Sequence, residues 1–289
     1  MASKKQTLKF KAKTAQNKKV SQKIGDAFLY QLIDDDDGPS ASIPKKGRGA
    51  IRDHLSHRLS ALHQRAILIE QELQQLDDGR FYRTCIFGSA RIQHDTPEYA
   101  NVFQLARMLA WRGIDILTGG GPGLMEAANK GALQGQREKA SSALSFGISI
   151  EGGFEREPNL HLDIKRHHYK FSSRLDDFMR LSHSIIVTPG GIGTLLELFF
   201  SWQLLQVKHL SQRPLVLLDS KFWGGLLDWL KHYPLKRGLI SQGDFAPIHI
   251  VNTPEEAANI IIAHAEKSWK WAKKNGIKSK EKKRDRRKR

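Results

Sequence analysis

Three glycines, two threonines and one glutamate occur within the ten residues TPGGIGTLLE, at positions 188–197. The segment directly follows the apolar residues Ile-Ile-Val at 185–187 and precedes a stretch rich in leucine and phenylalanine. Glycine lets a backbone approach a ligand closely, and the N–H groups at the start of a helix bind anions such as phosphate. The pattern therefore predicts a strand, a glycine turn that receives an anion, and a helix that carries Glu197.

Two further glycine-rich segments follow predicted strands, FGSAR at 87–91 and TGGGPGLMEAANKGA at 118–132. One such turn is weak evidence, because tight strand-to-helix turns also use glycine for packing alone. The dinucleotide fingerprint does not fit, since the sixth residue counted from Gly119 and from Gly191 is leucine, and the P-loop pattern does not fit either. These exclusions favour a site for a mononucleotide or a sugar phosphate.

Two charged residues near these turns are candidates to act on such a ligand. Glu197 follows Thr194 by three residues, which fits either a capping box or a carboxylate that acts on a water molecule or a sugar hydroxyl. Arg174 lies in the predicted helix before the motif strand. It is either the charge-assisted partner of a phosphate or one half of a surface ion pair with Asp176 or Asp177. The residue types leave both pairs of alternatives open.

No metal or cofactor site is expected. His167 and His168 are interpreted as loop residues, and adjacent residues of an extended chain point in opposite directions, so they do not form a metal pair. No His, Asp or Glu cluster has the spacing of metal ligands. The single cysteine, Cys85, excludes an intrachain disulfide and a multi-cysteine metal site.

The segments between the motifs alternate between strand and helix patterns. Apolar runs of strand length occur at 83–87, 114–118, 144–150, 184–188, 214–218 and 248–251. Helical patterns occur at 97–112, 123–134, 170–182, 194–207, 222–233 and 254–272. This alternation predicts an α/β fold, a Rossmann-like doubly wound, mostly parallel sheet with helices on both faces. In such sheets ligands bind at the carboxyl ends of the strands, where the glycine segments lie.

The chain is predicted to have four parts. They are a basic tail with a flexible linker at 1–50, an amphipathic helix at 51–79 that forms an N-terminal extension, the α/β domain at 80–275, and a disordered basic tail at 276–289. No stretch of 18 uncharged apolar residues occurs, and the N-terminus lacks the apolar core of a secretory signal. We therefore expect a cytoplasmic protein without a membrane span.

The net charge of +17 is concentrated at the two ends of the chain. Residues 1–25 contain eight lysines and no acidic residue, and residues 278–289 contain nine basic and two acidic residues, which leaves about +2 between them. Such runs either make a weak, salt-sensitive contact with nucleic acid or another polyanion, or serve only as solvated tails.

Together these motifs indicate a known family. PGGIGTLLE resembles the signature P-G-G-x-G-T-x-x-E of the LOG-type phosphoribohydrolases, often mislabelled lysine decarboxylases, and TGGGPGLMEAANKGA is similar to their second glycine motif. Arg174 stands where the catalytic arginine of that family precedes the signature. Residues 157–194 also resemble the central domain of bacterial pyrimidine/purine nucleotide 5′-monophosphate nucleosidases. The resemblance extends from about residue 82 to about residue 262.

The resemblance implies a hydrolase that converts a nucleoside 5′-monophosphate and water into a free base and ribose 5-phosphate, without a metal or redox cofactor. Glu197 would act at C1′ of the ribose, and Arg174 would orient the nucleotide. The expected phosphate- and ribose-binding residues are Gly88, Ser89, Gly119, Gly120, Gly121, Gly190, Gly191, Gly193 and Thr194.

The resemblance also implies a homo-oligomer, a dimer or a tetramer, with the apolar positions of the helix at 194–207 as the candidate interface. Two departures bear on substrate preference more than on reaction class. This chain has Arg174-Leu175 where the plant-type pattern has Arg-Lys. It has Leu196-Glu197 where that pattern has two glutamates. The alternative function is a non-catalytic carrier of a nucleotide or a phosphorylated cofactor.

Overall fold

The computed structural model describes residues 53, 55–62, 81–150 and 158–274. They belong to two units, residues 1–71 and 72–289. In the first unit residue 53 and residues 55–62 are helical. The other residues of the predicted amphipathic helix up to position 79, and both predicted tails, lie outside the described residues.

The second unit alternates strands and helices. Its strands are β1 (Arg83–Phe87), β2 (Asp115–Thr118), β3 (Ser145–Ile150), β4 (Ile164–His168), β5 (Ser184–Val187), β6 (Leu215–Leu218) and β7 (Ile248–Val251). Its helices are α1 (Pro97–Trp111), α2 (Leu124–Lys139), α3 (Phe171–Leu181), α4 (Ile192–Gln206), α5 (Ser220–Leu230) and α6 (Pro254–Lys274). Two short helical turns, Lys231–Leu235 and Gln242–Phe245, connect α5 to β7. No helix in the described part of the chain is long and apolar enough to cross a membrane.

The seven strands form one parallel sheet in the order β4-β3-β2-β1-β5-β6-β7. The chain adds strands on one side of β1 as far as β4, and α3 then leads to β5 on the other side of β1. The register pairs Cys85 with Leu117 and Phe87 with Val187, so the carboxyl ends of β2, β1 and β5 lie side by side. The predicted doubly wound α/β fold is confirmed.

Helices cover both faces of the sheet because successive strand side chains point to opposite faces. In β1, Ile86 belongs to the core formed with α1, α2 and α6. Its neighbours Cys85 and Phe87 belong to the core formed with α3, α4 and α5. Apart from the edge strands β4 and β7, the strands are buried on both faces, which explains their continuous apolar runs.

Strand β4 is the main departure from the predicted elements. The interpretation of His167 and His168 as loop residues is wrong, because they pair with Ser149 and Ile150 of β3. At the edge of the sheet most of the β4 side chains are exposed, so the sequence IKRHH has no apolar run to reveal the strand. Most other observed boundaries lie within three residues of the predicted ones, and α2 continues to Lys139.

Two arginines hold the carboxyl end of α3. Arg213 Nη1 donates to the carbonyl oxygen of Met179 at 3.0 Å and to that of Ser182. Arg83 Nη1 donates to the carbonyl oxygen of Leu181 at 3.2 Å. The last carbonyl groups of a helix lack intrahelical partners and carry partial negative charge, so cations stabilise them. The position of α3 is thereby fixed at the amino end of the sheet.

The Arg213→Ala substitution should reduce the free energy of unfolding by about 2–3 kcal/mol, because it leaves buried carbonyl groups without a donor. Urea titration followed by circular dichroism measures this loss. Arg237→Ala, at an exposed position, is the control and should be near neutral. Equal stability of the two variants would contradict the capping role of Arg213.

His183 makes stability depend on pH. Burial, and then the charges of Arg213 and Arg83, lower its pKa to about 4. The unfolded state, with a pKa of about 6.5, therefore binds more protons between these values, and stability falls as the pH falls from about 7 to 4. Asp115 acts in the opposite sense, because burial raises its pKa to about 6.

A comparison of wild type with His183→Asn isolates this contribution. Relative to the variant, the wild type should lose about 3 kcal/mol of unfolding free energy between pH 7 and pH 4. Urea titrations at several pH values measure the difference. Parallel pH profiles for the two proteins would show that His183 titrates normally in the folded state.

Candidate functional site

The three glycine turns meet at the carboxyl ends of β2, β1 and β5. The N–H of Ser89, in the turn after β1, donates to the carbonyl oxygen of Pro189 at 3.1 Å. The N–H of Leu124 donates to the carbonyl oxygen of Ser89 at 2.9 Å. The turn after β1 is therefore bonded to both of its neighbours, at the position where doubly wound sheets bind ligands.

Some of the predicted glycines are required by packing. A Cβ atom at Gly88 would lie 2.2 Å from Oγ1 of Thr188, and one at Gly190 would lie 2.2 Å from Oγ1 of Thr194. Neither position has room for a side chain, because real Cβ contacts are not this short. Gly88 thus lets the turn after β1 lie against Thr188, and Gly190 lets the turn after β5 fold back on the buried Thr194.

The turn after β2 has equally strict requirements. A Cβ atom at Gly119 would lie 2.5 Å from Nη2 of Arg174. Gly120 has a φ of +79°, which favours glycine, and a Cβ atom there would lie 3.2 Å from the Cα atom of Gly147. Gly121 completes the buried run. The absence of side chains in this turn makes room for the guanidinium group.

Helix α4 begins with open backbone. Its N-cap residue is Gly191, which makes no side-chain capping bond, and a Cβ atom built at Gly191 or Gly193 would have no described atom within 4 Å apart from its chain neighbours and the backbone of the helix itself. The first N–H groups of a helix have no intrahelical acceptor, so this end can bind an anion. Because the helix begins at Ile192, the capping-box interpretation of Thr194 and Glu197 is wrong.

Helix α2 begins in a similar way. Its N-cap is Gly123, with a φ of +68° and no side-chain capping bond. A Cβ atom at Gly123 would lie 2.4 Å from the carbonyl oxygen of Ser89, so only glycine fits. The side-chain Oγ of Ser89 accepts a hydrogen bond from the N–H of Arg91 at 3.1 Å. Two glycine-capped helices therefore begin at the turns on either side of the turn after β1.

Arg174 projects from the first turns of α3 beneath the turn after β2. It is 8% exposed, its Nε donates to the carbonyl oxygen of Ile148 at 2.8 Å, and its guanidinium carbon lies 5.3 Å from the Phe178 ring centroid. This burial does not fit the alternative of a surface ion pair. The structure holds a positive charge directly behind Gly119.

Asp177, one turn after Arg174, anchors α3 to β4. Its carboxylate accepts hydrogen bonds from Arg166 at 3.2 Å and from the side chain of Arg180, and His168 Nε2 lies 3.1 Å from it. These neighbours lower the pKa of Asp177 even though burial acts to raise it. The ion cluster keeps this carboxylate charged and fixes the helix that carries Arg174.

The charges of Glu197 and Arg174 both affect the pKa of the buried thiol of Cys85. Burial is the largest cause of the raised pKa of this thiol; the Glu197 carboxylate raises it further and the Arg174 guanidinium lowers it. Cys85 faces the layer of α3, α4 and α5. The two candidate catalytic side chains thus lie within electrostatic reach of the same residue in the middle of β1, and Glu197 is half-buried.

The sequence analysis missed three residues around the turn after β2: Gly123, Asn129 and Asn159. The side chains of both asparagines take part in a hydrogen-bond network with that turn. Asn129 could have been noticed as a polar residue on the apolar face of the α2 pattern, but Asn159 carries no periodic signal. In the described part of the chain, no group of three or more His, Cys, Asp or Glu side chains could hold a metal ion.

Known proteins resemble this chain in sequence. A family model described as "Possible lysine decarboxylase" matches residues 125–261. The pyrimidine/purine nucleotide 5′-monophosphate nucleosidase of Escherichia coli K12 is 34% identical over 112 residues, which are 36% of this chain and 23% of that protein. The match thus spans about a quarter of the nucleosidase. The probable cytokinin riboside 5′-monophosphate phosphoribohydrolase of Oryza sativa subsp. japonica is 31% identical over 178 residues, 60% of this chain and 80% of that protein.

Solved structures also resemble this chain, at lower identity. The molybdenum cofactor binding protein of Rippkaea orientalis has a TM-score of 0.49 and 22% identity, and the match covers 64% of this chain and 97% of that one. The molybdenum cofactor carrier protein of Chlamydomonas reinhardtii has a TM-score of 0.49 and 19% identity, with 65% and 99% covered. The family itself follows from the sequence relatives: this chain belongs to the LOG family, whose model bears the lysine decarboxylase description.

Proposed function

We propose that this protein hydrolyses the N-glycosidic bond of nucleoside 5′-monophosphates, releasing a free base and ribose 5-phosphate. The observation that carries the proposal is the placement of two glycine-capped helix N-termini at the ends of the strands that flank β1, with Arg174 against Gly119 and Glu197 in α4, in a chain of this family. A phosphate carrier needs the helix ends but has no use for a carboxylate beside them.

In this proposal the substrate phosphate binds across the starts of α2 and α4. The backbone of Gly191 and Gly193 is open to a ligand. The turn at Gly119–Gly121 lies on the other side of β1, after β2. The N–H groups of a helix start and its positive dipole end both favour a dianion. Arg174 adds a fixed positive charge behind the turn and would orient the nucleotide.

Glu197 supplies the chemistry at C1′. When the C1′–N bond breaks, its electrons pass to the base and the ribose acquires oxocarbenium character, which a nearby carboxylate stabilises. A water molecule then forms the new C1′–O bond, and its proton is transferred to the departing base. The same carboxylate would polarise that water.

In this proposal the chain does not have the lysine decarboxylase activity named in the family description. Decarboxylation through a Schiff base would require a lysine beside the substrate. The glycine turns 119–121 and 190–193 contain none. We also propose that the reaction takes place in the cytoplasm, in accordance with the single cysteine.

The isosteric substitution Glu197→Gln should reduce kcat for AMP by about 10²–10³-fold, because the carboxylate charge is lost at the transition state. The affinity for AMP should change little, since the phosphate site stays intact. Base release from AMP, GMP, CMP and UMP, measured by chromatography, gives the rates, and calorimetry gives the affinity. Glu255→Gln, at an exposed position in α6, is the matched control.

Two results would contradict the proposed hydrolase. One is a wild-type protein that releases no base from any of the four nucleotides. The other is a Glu197→Gln variant with wild-type turnover. Tight binding of a nucleotide without turnover would instead support the carrier alternative.

We further propose that the protein is a homo-oligomer that associates through the layer of α4 and α5. The outer side of this layer exposes large apolar side chains: Ile192, Leu196, Phe199, Phe222 and Trp229. On the opposite layer, of α1, α2 and α6, the described residues include one comparable side chain, Trp271. Apolar surface of this extent marks a protein–protein contact.

The Phe199→Asp substitution should shift the protein toward smaller species, because it places a charge within the proposed contact. Size-exclusion chromatography with light scattering measures the mass. Trp271→Asp, on the opposite layer, is the control and should keep the wild-type mass. A wild-type monomer, or an unchanged mass for Phe199→Asp, would contradict the interface. The contact of the basic tails with nucleic acid remains a prediction, because both tails lie outside the described residues.

A further inference from the structure

Asn159 directs the carbonyl groups of the turn after β2. Its backbone N–H donates to the carbonyl oxygen of Gly120 at 2.8 Å. Its side-chain Nδ2 donates to the carbonyl oxygens of Gly120 and Gly121 at 3.1 and 2.9 Å. Its Oδ1 accepts from the N–H of His161 at 3.0 Å. These partners fix the orientation of the amide, with the nitrogen toward the glycine turn.

Asn129 connects this contact to the interior. It is fully buried on α2, and its Oδ1 accepts from Asn159 Nδ2 at 3.0 Å and from Thr118 Oγ1 at 2.7 Å. Its Nδ2 donates to Ser145 Oγ at 2.9 Å. Thr118 Oγ1 in turn accepts from the N–H of Gly120 at 2.9 Å. The end of β2, the helix α2 and the start of β3 thus form one polar network around the turn.

The network determines which way the peptide groups of the turn face. In a trans peptide the C=O of one residue and the N–H of the next point in opposite directions. Because Asn159 binds the carbonyl oxygen of Gly120, the N–H of Gly121 points away from Asn159. The next residue, Pro122, has no N–H, and the N–H of Gly120 is bound by Thr118. Of the three residues 120–122, Gly121 is therefore the one whose N–H points away from the network.

We propose that Asn159 is a positioning residue, which presents the Gly121 N–H to the phosphate of the substrate without contacting the substrate itself. The proposal rests on the proposed function for the identity of the ligand. Asparagine suits this role because its NH2 group has two hydrogens, which the carbonyl oxygens of Gly120 and Gly121 and Oδ1 of Asn129 share, while its own Oδ1 accepts from an N–H. Aspartate has the same shape but would place an acceptor against these oxygens, and alanine would leave them without a side-chain donor.

The test compares Asn159→Ala, Asn159→Asp and Thr118→Val with wild type and with the control Asn101→Ala, at an exposed position of α1. Thr118 is fully buried, so it does not contact the substrate, and its hydroxyl acts on the turn through the N–H of Gly120. All three network variants should raise KM for AMP about tenfold or more, with kcat changed less than about threefold. The Asp variant should be affected more than the Ala variant, and the Thr118→Val/Asn159→Ala pair should be non-additive.

Calorimetry with ribose 5-phosphate and AMP gives a second readout that does not depend on turnover. The dissociation constants should rise in parallel with KM. If the wild type binds these ligands but releases no base, a loss of binding in the variants still supports the positioning role while the hydrolase proposal fails. Wild-type affinity in Asn159→Ala and Asn159→Asp would overturn the positioning role alone. A wild-type protein that binds neither ligand would overturn both.

Discussion

The site depends on the reversal of strand order at β1. Strands are added on one side of β1 through β4 and on the other side from β5 onward, so the turns after β2 and β5 flank the turn after β1. Helices that leave neighbouring parallel strands in opposite senses open a crevice between their N-termini. The hydrogen bonds of Ser89 to both flanking turns lock this crevice at its centre.

The crevice concentrates positive potential before any ligand binds. The starts of α2 and α4 each carry a partial positive charge, and the buried guanidinium of Arg174 adds a full one. A buried cation is costly unless acceptors surround it, and the Ile148 carbonyl oxygen is one such acceptor. The glycine at position 119 allows the guanidinium to lie against the backbone of the turn. Glu197 offsets part of this charge, and a phosphate dianion would offset more.

The fold could be predicted from the sequence almost completely, and the site only in outline. Continuous apolar strands and glycine turns have local signals, so six of the seven strands and their order along the chain were predicted. Strand β4 was missed because an exposed edge strand does not need apolar residues. Helix α4 begins at Ile192 with Gly191 as its N-cap, so there is no capping box. In a sequence, threonine is a stronger N-cap signal than glycine, and Thr194 was therefore the more obvious candidate. Asn159 binds the turn from 39 residues away in the chain, and Asn129 binds Thr118 from 11 residues away, and spacing does not encode such contacts.

The way the helices begin separates those at the crevice from the others. Helix α1 is capped by the Thr96 side chain, which accepts from the N–H of Tyr99, and α5 is capped by Asp219. Helices α2 and α4 have glycine caps without a side-chain bond, and α3, which carries Arg174, also lacks one. A serine or aspartate cap would accept hydrogen bonds from the N–H groups that an anion would bind. A glycine cap leaves them open and reduces the stability of the helix by only a few tenths of a kcal/mol. A bound anion would then supply the missing acceptor and stabilise the folded state by mass action. The open glycine cap of α4 is what an anion site would require, whereas the glycine cap of α2 is also required by packing against the Ser89 carbonyl oxygen.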